Sequence, residues 1–125
     1  MEQKRLYIKN SFKLPDFLFD AQTGELRIYK RSLPEDAYNT FGPALEWIEE
    51  YLKNPKKETK LIIDLDYMNS STIKVLTYLI NRMKNATNTK LTVYWYYSDE
   101  DTQEICNDVK SITEADIKII PKIKD

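Results

Sequence analysis

The chain has 125 residues, 42% apolar and 31% charged, with a formal net charge of -1, which is the make-up of one globular domain rather than a disordered segment. It lacks the basic excess that general nucleic-acid and membrane-surface binders use, an apolar run that could span a bilayer, and a signal-type N-terminus in MEQKRLYIKN, so the expectation is a cytoplasmic protein that binds neither nucleic acid nor membrane. With no histidine, one cysteine (Cys106) and two glycines (Gly24, Gly42), the chain has no His-based acid–base or nucleophile chemistry, no internal disulfide, no zinc knuckle and no glycine-rich phosphate loop.

In chain order, residues 1–13 are polar with scattered apolar positions and read as an edge strand at Leu6 to Ile8 or a loose arm. Two short strands, Phe17 to Asp20 and Glu25 to Lys30, flank a glycine-containing turn and predict a hairpin. Phe41, Leu45, Ile48 and Leu52 recur at helical spacing. Pro34 suits the entrance of that helix and Pro55 lies beyond its end, while Gly42 and Pro43 weaken the first turns and place the regular start near Pro43. Trp47 falls beside the strict stripe and widens the buried face.

KLIIDLDYM is a nearly continuous apolar run, as expected of a central strand covered on both faces. STIKVLTYLINRMKN follows as a second helix buried through Ile73, Leu76, Leu79 or Ile80, and Met83. KLTVYWYYS is the next strand, and its alternating aromatics pack a sheet. DEDTQEICNDVKSI is a third helix with Ile105, Val109 and Ile112 as its stripe, Ser98 as candidate cap and Cys106 as a small buried hydrophobe. The acidic run Asp99, Glu100, Asp101 favours the positive end of that helix. ADIKIIPK closes the set as a short strand. Strands alternating with helices after a hairpin predict a single α/β domain over 1–125, with a mixed sheet and about three main helices.

In such sheets working residues gather where strands end and helices begin, and DLDYMNSSTIKVLTYL lies at such a junction. Asp64 and Asp66 sit two residues apart on a strand and point the same way, so one reading is a magnesium-dependent phospho-accepting carboxylate pair. The rest of the acids and the lysine of such a site are not evident in the sequence. Asn69, Ser70, Ser71 and Thr72 are all competent helix N-caps, yet one cap is enough. The spare hydroxyls either over-supply the cap or include an acceptor for a phosphate, which a helix start tolerates through its bare N–H groups and dipole. A plain protein-interaction scaffold is the third reading.

The stretch LDYMNSSTIKVL resembles the phosphorylation loop of STAS domains, the fold of the anti-sigma-factor antagonists. The chain is more closely similar to the SiaC family of regulatory phosphoproteins, which are small STAS-like domains. The segments FDAQTGELRIYKRSLPEDAYNTFGPALEWIEEYL, IDLDYMNSSTIKVL and LTVYWYYSDEDTQE carry that likeness over almost the whole chain. The resemblance implies a STAS-like mixed sheet and a non-enzymatic partner switch without cofactors. Its phosphoacceptor is the hydroxyl residue after the loop asparagine, which falls on Ser70; Ser71 and Thr72 are alternates by a register slip. The family's better-known acceptor is threonine, and a serine stands here. The implied partners are a serine/threonine kinase of the histidine-kinase-like ATPase type, a PP2C-type phosphatase, and an effector, a diguanylate cyclase in the best-known branch. The unmodified loop, Asp66, Tyr67, Met68, Asn69 and Ser70, is the expected docking patch.

Overall fold

The computed structural model describes residues 5–10 and 12–123, so the sequence expectations for 1–4, 11, 124 and 125 lie outside the described residues. The elements in order are β1 (Arg5–Ile8), β2 (Asp16–Asp20), β3 (Glu25–Ser32), α1 (Ala37–Tyr51), β4 (Glu58–Met68), α2 (Ser70–Lys84), β5 (Lys90–Tyr97), α3 (Glu100–Thr113) and β6 (Ile117–Pro121).

The six strands lie side by side in sequence order, β1-β2-β3-β4-β5-β6. The first two pairings are antiparallel, and the three from β3 to β6 are parallel. Each parallel connection steps one strand over in the same direction. Right-handed crossovers that all step one way place all three helices on one face of the sheet. The other face is left without a helical layer.

Burial along β4 records this directly. Leu61, Ile63 and Leu65 are buried, while Lys60 and Asp66 are exposed and Ile62 and Asp64 half-buried. The expectation that this strand is covered on both faces is therefore corrected. Its apolar run is continuous only because Ile62 adds one apolar residue to the open face. The same alternation holds in β5, where Val93 and Trp95 enter the core and Tyr94 and Tyr96 face outward.

The core between sheet and helices is aromatic at the β2–α1 end. The Phe17 and Phe41 rings meet edge to face at 5.0 Å, and Phe19 and Trp47 lie 5.3 Å apart. Each such side chain, taken fully from water, contributes roughly 1.5–3 kcal/mol. Trp47 is 1% exposed, consistent with the widened face read from the sequence.

Three element boundaries or stripes differ from expectation. Helix α1 begins at Ala37, six residues before Pro43, because the Asp36 carboxylate caps it by accepting the Asn39 N–H at 3.2 Å. The proline is tolerated inside the helix on an exposed position. In α3 the cap is Asp99 rather than Ser98, with its carboxylate accepting from Thr102 N at 2.7 Å. The buried stripe of α3 is Thr102, Cys106, Val109 and Thr113, and Ile112 is 69% exposed. At 3.6 residues per turn Ile112 lies roughly a quarter turn from the centre of that stripe.

The hairpin turn closes at Gly24, whose φ of +74° and close approach to the Glu58 carbonyl require a residue without a Cβ. Farther along β3 the pairing with β4 breaks register. Lys30 faces Leu65 and Ser32 faces Met68, so Arg31 alone opposes both Asp66 and Tyr67. This β-bulge bends β4 just before α2. It is accompanied by a left-handed backbone at Lys30, φ +83°, whose ammonium pairs at 2.6 Å with the buried Asp16 carboxylate.

Candidate functional site

The junction between β4 and α2 lies at the carboxyl end of the parallel strands, where the chain turns from the sheet into the helix layer. Its cap is Asn69. The Asn69 Oδ1 accepts the Thr72 N–H at 3.0 Å, while its Nδ2 donates to the Pro34 carbonyl at 2.7 Å. The Asn69 N–H in turn donates to the Ser32 carbonyl at 3.1 Å. One side chain thus starts α2 and ties it to the loop that leads into α1.

The three hydroxyl residues that follow have different fates. Thr72 is fully buried. Its Oγ lies 2.7 Å from the Ser32 Oγ, 2.8 Å from Asn69 Oδ1 and 3.2 Å from the Ser32 carbonyl. With one proton to give, Thr72 donates toward Asn69 Oδ1 and the Ser32 carbonyl and accepts from Ser32 Oγ. Ser71 is half-buried, and its Oγ accepts the Ala37 N–H at 3.0 Å, supplying an acceptor to the first residue of α1. Ser70 is exposed, is the first residue of α2, and its hydroxyl makes no hydrogen bond within the described residues. One hydroxyl is structural, one joins two helix starts, and one is left to solvent.

The rest of the predicted patch surrounds Ser70 unevenly. Tyr67, one of the two residues opposite Arg31 at the bulge, is 59% exposed. Asp66 is exposed, whereas Met68 is half-buried and packs partly against the core. Asp64 and Asp66 do point the same way, and a lysine from the far end of the chain lies across them. The Lys122 ammonium reaches Asp64 at 2.9 Å and Asp66 at 3.4 Å. The hydrogen bond to Asp64 holds that ammonium above the ordinary lysine range, against partial desolvation. Among the described residues no group of three or more His, Cys, Asp or Glu side chains could hold a metal ion.

Sequence reading missed the long-range partners of this junction. Ser32, Pro34 and Ala37 lie 34 to 40 positions earlier in the chain than their partners, and nothing in the local pattern of 64–79 names them. Arg31 and Phe12 were missed as well. The Arg31 guanidinium sits 4.4 Å from the Phe12 ring centre and 5.7 Å from that of Tyr67. Among the described residues no helix is long and apolar enough to cross a membrane.

The chain is thus a one-sided α/β domain whose strand-to-helix junction presents an exposed hydroxyl. Comparison with known proteins gives the family. The profile of the SiaC family regulatory phosphoproteins matches residues 8–122, and the chain belongs to that family. A protein of Pseudomonas aeruginosa (strain UCBPP-PA14), described as "Uncharacterized protein PA14_02130", is 30% identical over 81 residues. That match spans 65% of this chain and 64% of the relative's own length.

Solved structures share the fold. SiaC of Pseudomonas aeruginosa superposes with a TM-score of 0.85 at 23% identity, covering 96% of this chain and 100% of that one. The SiaC chain in the crystal structure of the diguanylate cyclase SiaD in complex with its activator SiaC, from the same organism, gives 0.84 at 24% identity. It covers 94% of this chain and 99% of that one.

Proposed function

We propose that this protein is a non-enzymatic partner switch whose docking loop is turned off by phosphorylation of Ser70. The observation that carries the reading is the division of labour among the three hydroxyls. A kinase needs an acceptor oxygen that is reachable and not already committed, and among residues 70–72 Ser70 alone meets both conditions. Thr72 is sealed in the core. Modifying Ser71 would break its bond to α1.

The physical basis of the switch is the change in charge. Phosphorylation adds roughly -1.5 to -2 charges to the first turn of α2, where the helix dipole and unpaired N–H groups accommodate them. The fold is therefore retained in both states. When an effector covers Asp66, Tyr67, Met68, Asn69 and Ser70, the same phosphate must be taken out of water at the interface. Moving an equilibrium from almost all bound to almost all free takes about 5.5 kcal/mol, and desolvating a doubly charged phosphate supplies a penalty of that order.

By analogy with SiaC and SiaD, the effector in this reading is a diguanylate cyclase. The kinase is of the histidine-kinase-like ATPase type, transferring the ATP γ-phosphoryl to the Ser70 oxygen, and a PP2C-type phosphatase hydrolyses the ester. The setting is cytoplasmic. The test is calorimetric titration of the Ser70→Ala and Ser70→Asp variants against diguanylate cyclases of the same genome. Ser70→Ala is expected to bind, and Ser70→Asp to bind at least tenfold more weakly with unchanged circular dichroism. Equal affinities reject the switch. Acid-labile label on Asp64 or Asp66 after incubation with acetyl phosphate and magnesium would instead favour a carboxylate acceptor.

A further inference from the structure

Arg31 has a setting that the charge argument alone leaves unused. It stands on β3 opposite the β4 bulge, its guanidinium against the rings of Phe12 and Tyr67, which are 74% and 59% exposed. The neighbouring carboxylates have other duties: Asp64 and Asp66 hold Lys122, Asp16 holds Lys30, and Asp99 caps α3. No carboxylate pairs with Arg31 among the described residues. A cation resting on exposed rings is held weakly, whereas a bidentate guanidinium–phosphate pair is charge-assisted and strong. Arg31 is thus a planar cation resting on exposed aromatic surface.

Its position relative to Ser70 follows from the pairing. The residue after Arg31, Ser32, accepts the N–H of Asn69, the residue before Ser70, at 3.1 Å. Arg31 and Ser70 therefore flank one interstrand hydrogen bond, and Arg31 lies at the same end of the sheet as the loop residues Asp66 and Tyr67. We propose that Arg31 receives the phosphate on Ser70 and leaves the Phe12 and Tyr67 rings to do so. Modification then dismantles the aromatic–arginine stack beside the loop as well as adding charge. This inference rests on Ser70 being the modified residue. Among the described residues the other cations of α2 and the facing sheet end include Lys74, one turn along α2 and exposed, and Lys122, already shared between two aspartates. Neither offers a planar fork for two phosphate oxygens.

The test uses the full chain with phosphoserine installed at position 70 during translation, followed by phosphorus NMR across pH 4–9. The second ionisation of the parent phosphate is expected at least half a pH unit below that of the Arg31→Gln variant. Arg31→Lys should fall between them, and Lys74→Gln should move the midpoint less than Arg31→Gln does. Tyr67 ring resonances should shift on phosphorylation in the parent but not in Arg31→Gln. Superimposable titrations of the parent and Arg31→Gln overturn the proposal, as does a larger effect from Lys74→Gln. The installed phosphate makes this readout independent of any effector. A depressed midpoint combined with an effector indifferent to phosphorylation would reject the partner switch and leave the Arg31 contact standing.

Discussion

Removing the three hydroxyls one at a time, as Ser70→Ala, Ser71→Ala and Thr72→Val, should destabilise the domain in that order. Ser70 Oγ is exposed and unbonded, and alanine is the better helix former, so its loss should change stability by no more than about 0.5 kcal/mol. Ser71→Ala removes the acceptor of the Ala37 N–H and should cost about 1 kcal/mol. Thr72→Val keeps the shape but deletes the hub of the network. It leaves Ser32 Oγ at 0% exposure without its partner, which costs about 1–3 kcal/mol, and forfeits the bond to Asn69 Oδ1, worth about 1 kcal/mol more. The total is about 2–4 kcal/mol, or a fall in Tm of roughly 10 °C for a chain of 125 residues. Urea denaturation followed by circular dichroism measures all three against the parent. A Ser70→Ala variant less stable than Ser71→Ala, or a Thr72→Val variant within 0.5 kcal/mol of the parent, would show that the hydroxyls are not divided as described.

Two further outcomes check other parts of the structure. Burial pushes the Cys106 thiol up to about 12, so a thiol-disulfide reagent at pH 8 should label it only as fast as the domain unfolds; rapid labelling of the native protein would contradict the assigned α3 face. Gly24→Ala combines a left-handed φ of +74° with a Cβ 2.7 Å from the Glu58 carbonyl, and should lose about 2 kcal/mol or more by thermal unfolding, whereas Gly42→Ala, with open space around it, should be neutral or stabilising.

Much of the domain was legible in its residues because the signals are local. Apolar periodicity marked β2 through β6 and the three helices, and the lack of histidine and glycine motifs removed most catalytic classes before any geometry was known. The alternation of Asp64 and Asp66 on one face followed from strand period alone. The hydroxyl cluster marked the junction, and family likeness made Ser70 the expected acceptor. The start of α1 was misplaced because a proline and a glycine outweighed the capping signal of Asp36 in a local reading. Ile112 was misassigned because helical spacing fixes a stripe's period but not which of two neighbouring stripes meets the sheet.

What residues 70–72 do was decided by partners 34 to 40 positions away in the chain. Sequence offered three chemically similar oxygens in a row; packing β3 beside β4 and setting α1 against α2 gave two of them acceptors or donors and left the third in water. The open sheet face arose in the same way. Alternation is a property of each strand, but whether one face or both are covered depends on the strand order, through the direction each right-handed crossover takes. Local chemistry determined which elements form and which groups are able to act, and the long-range contacts determined which of those groups remain free.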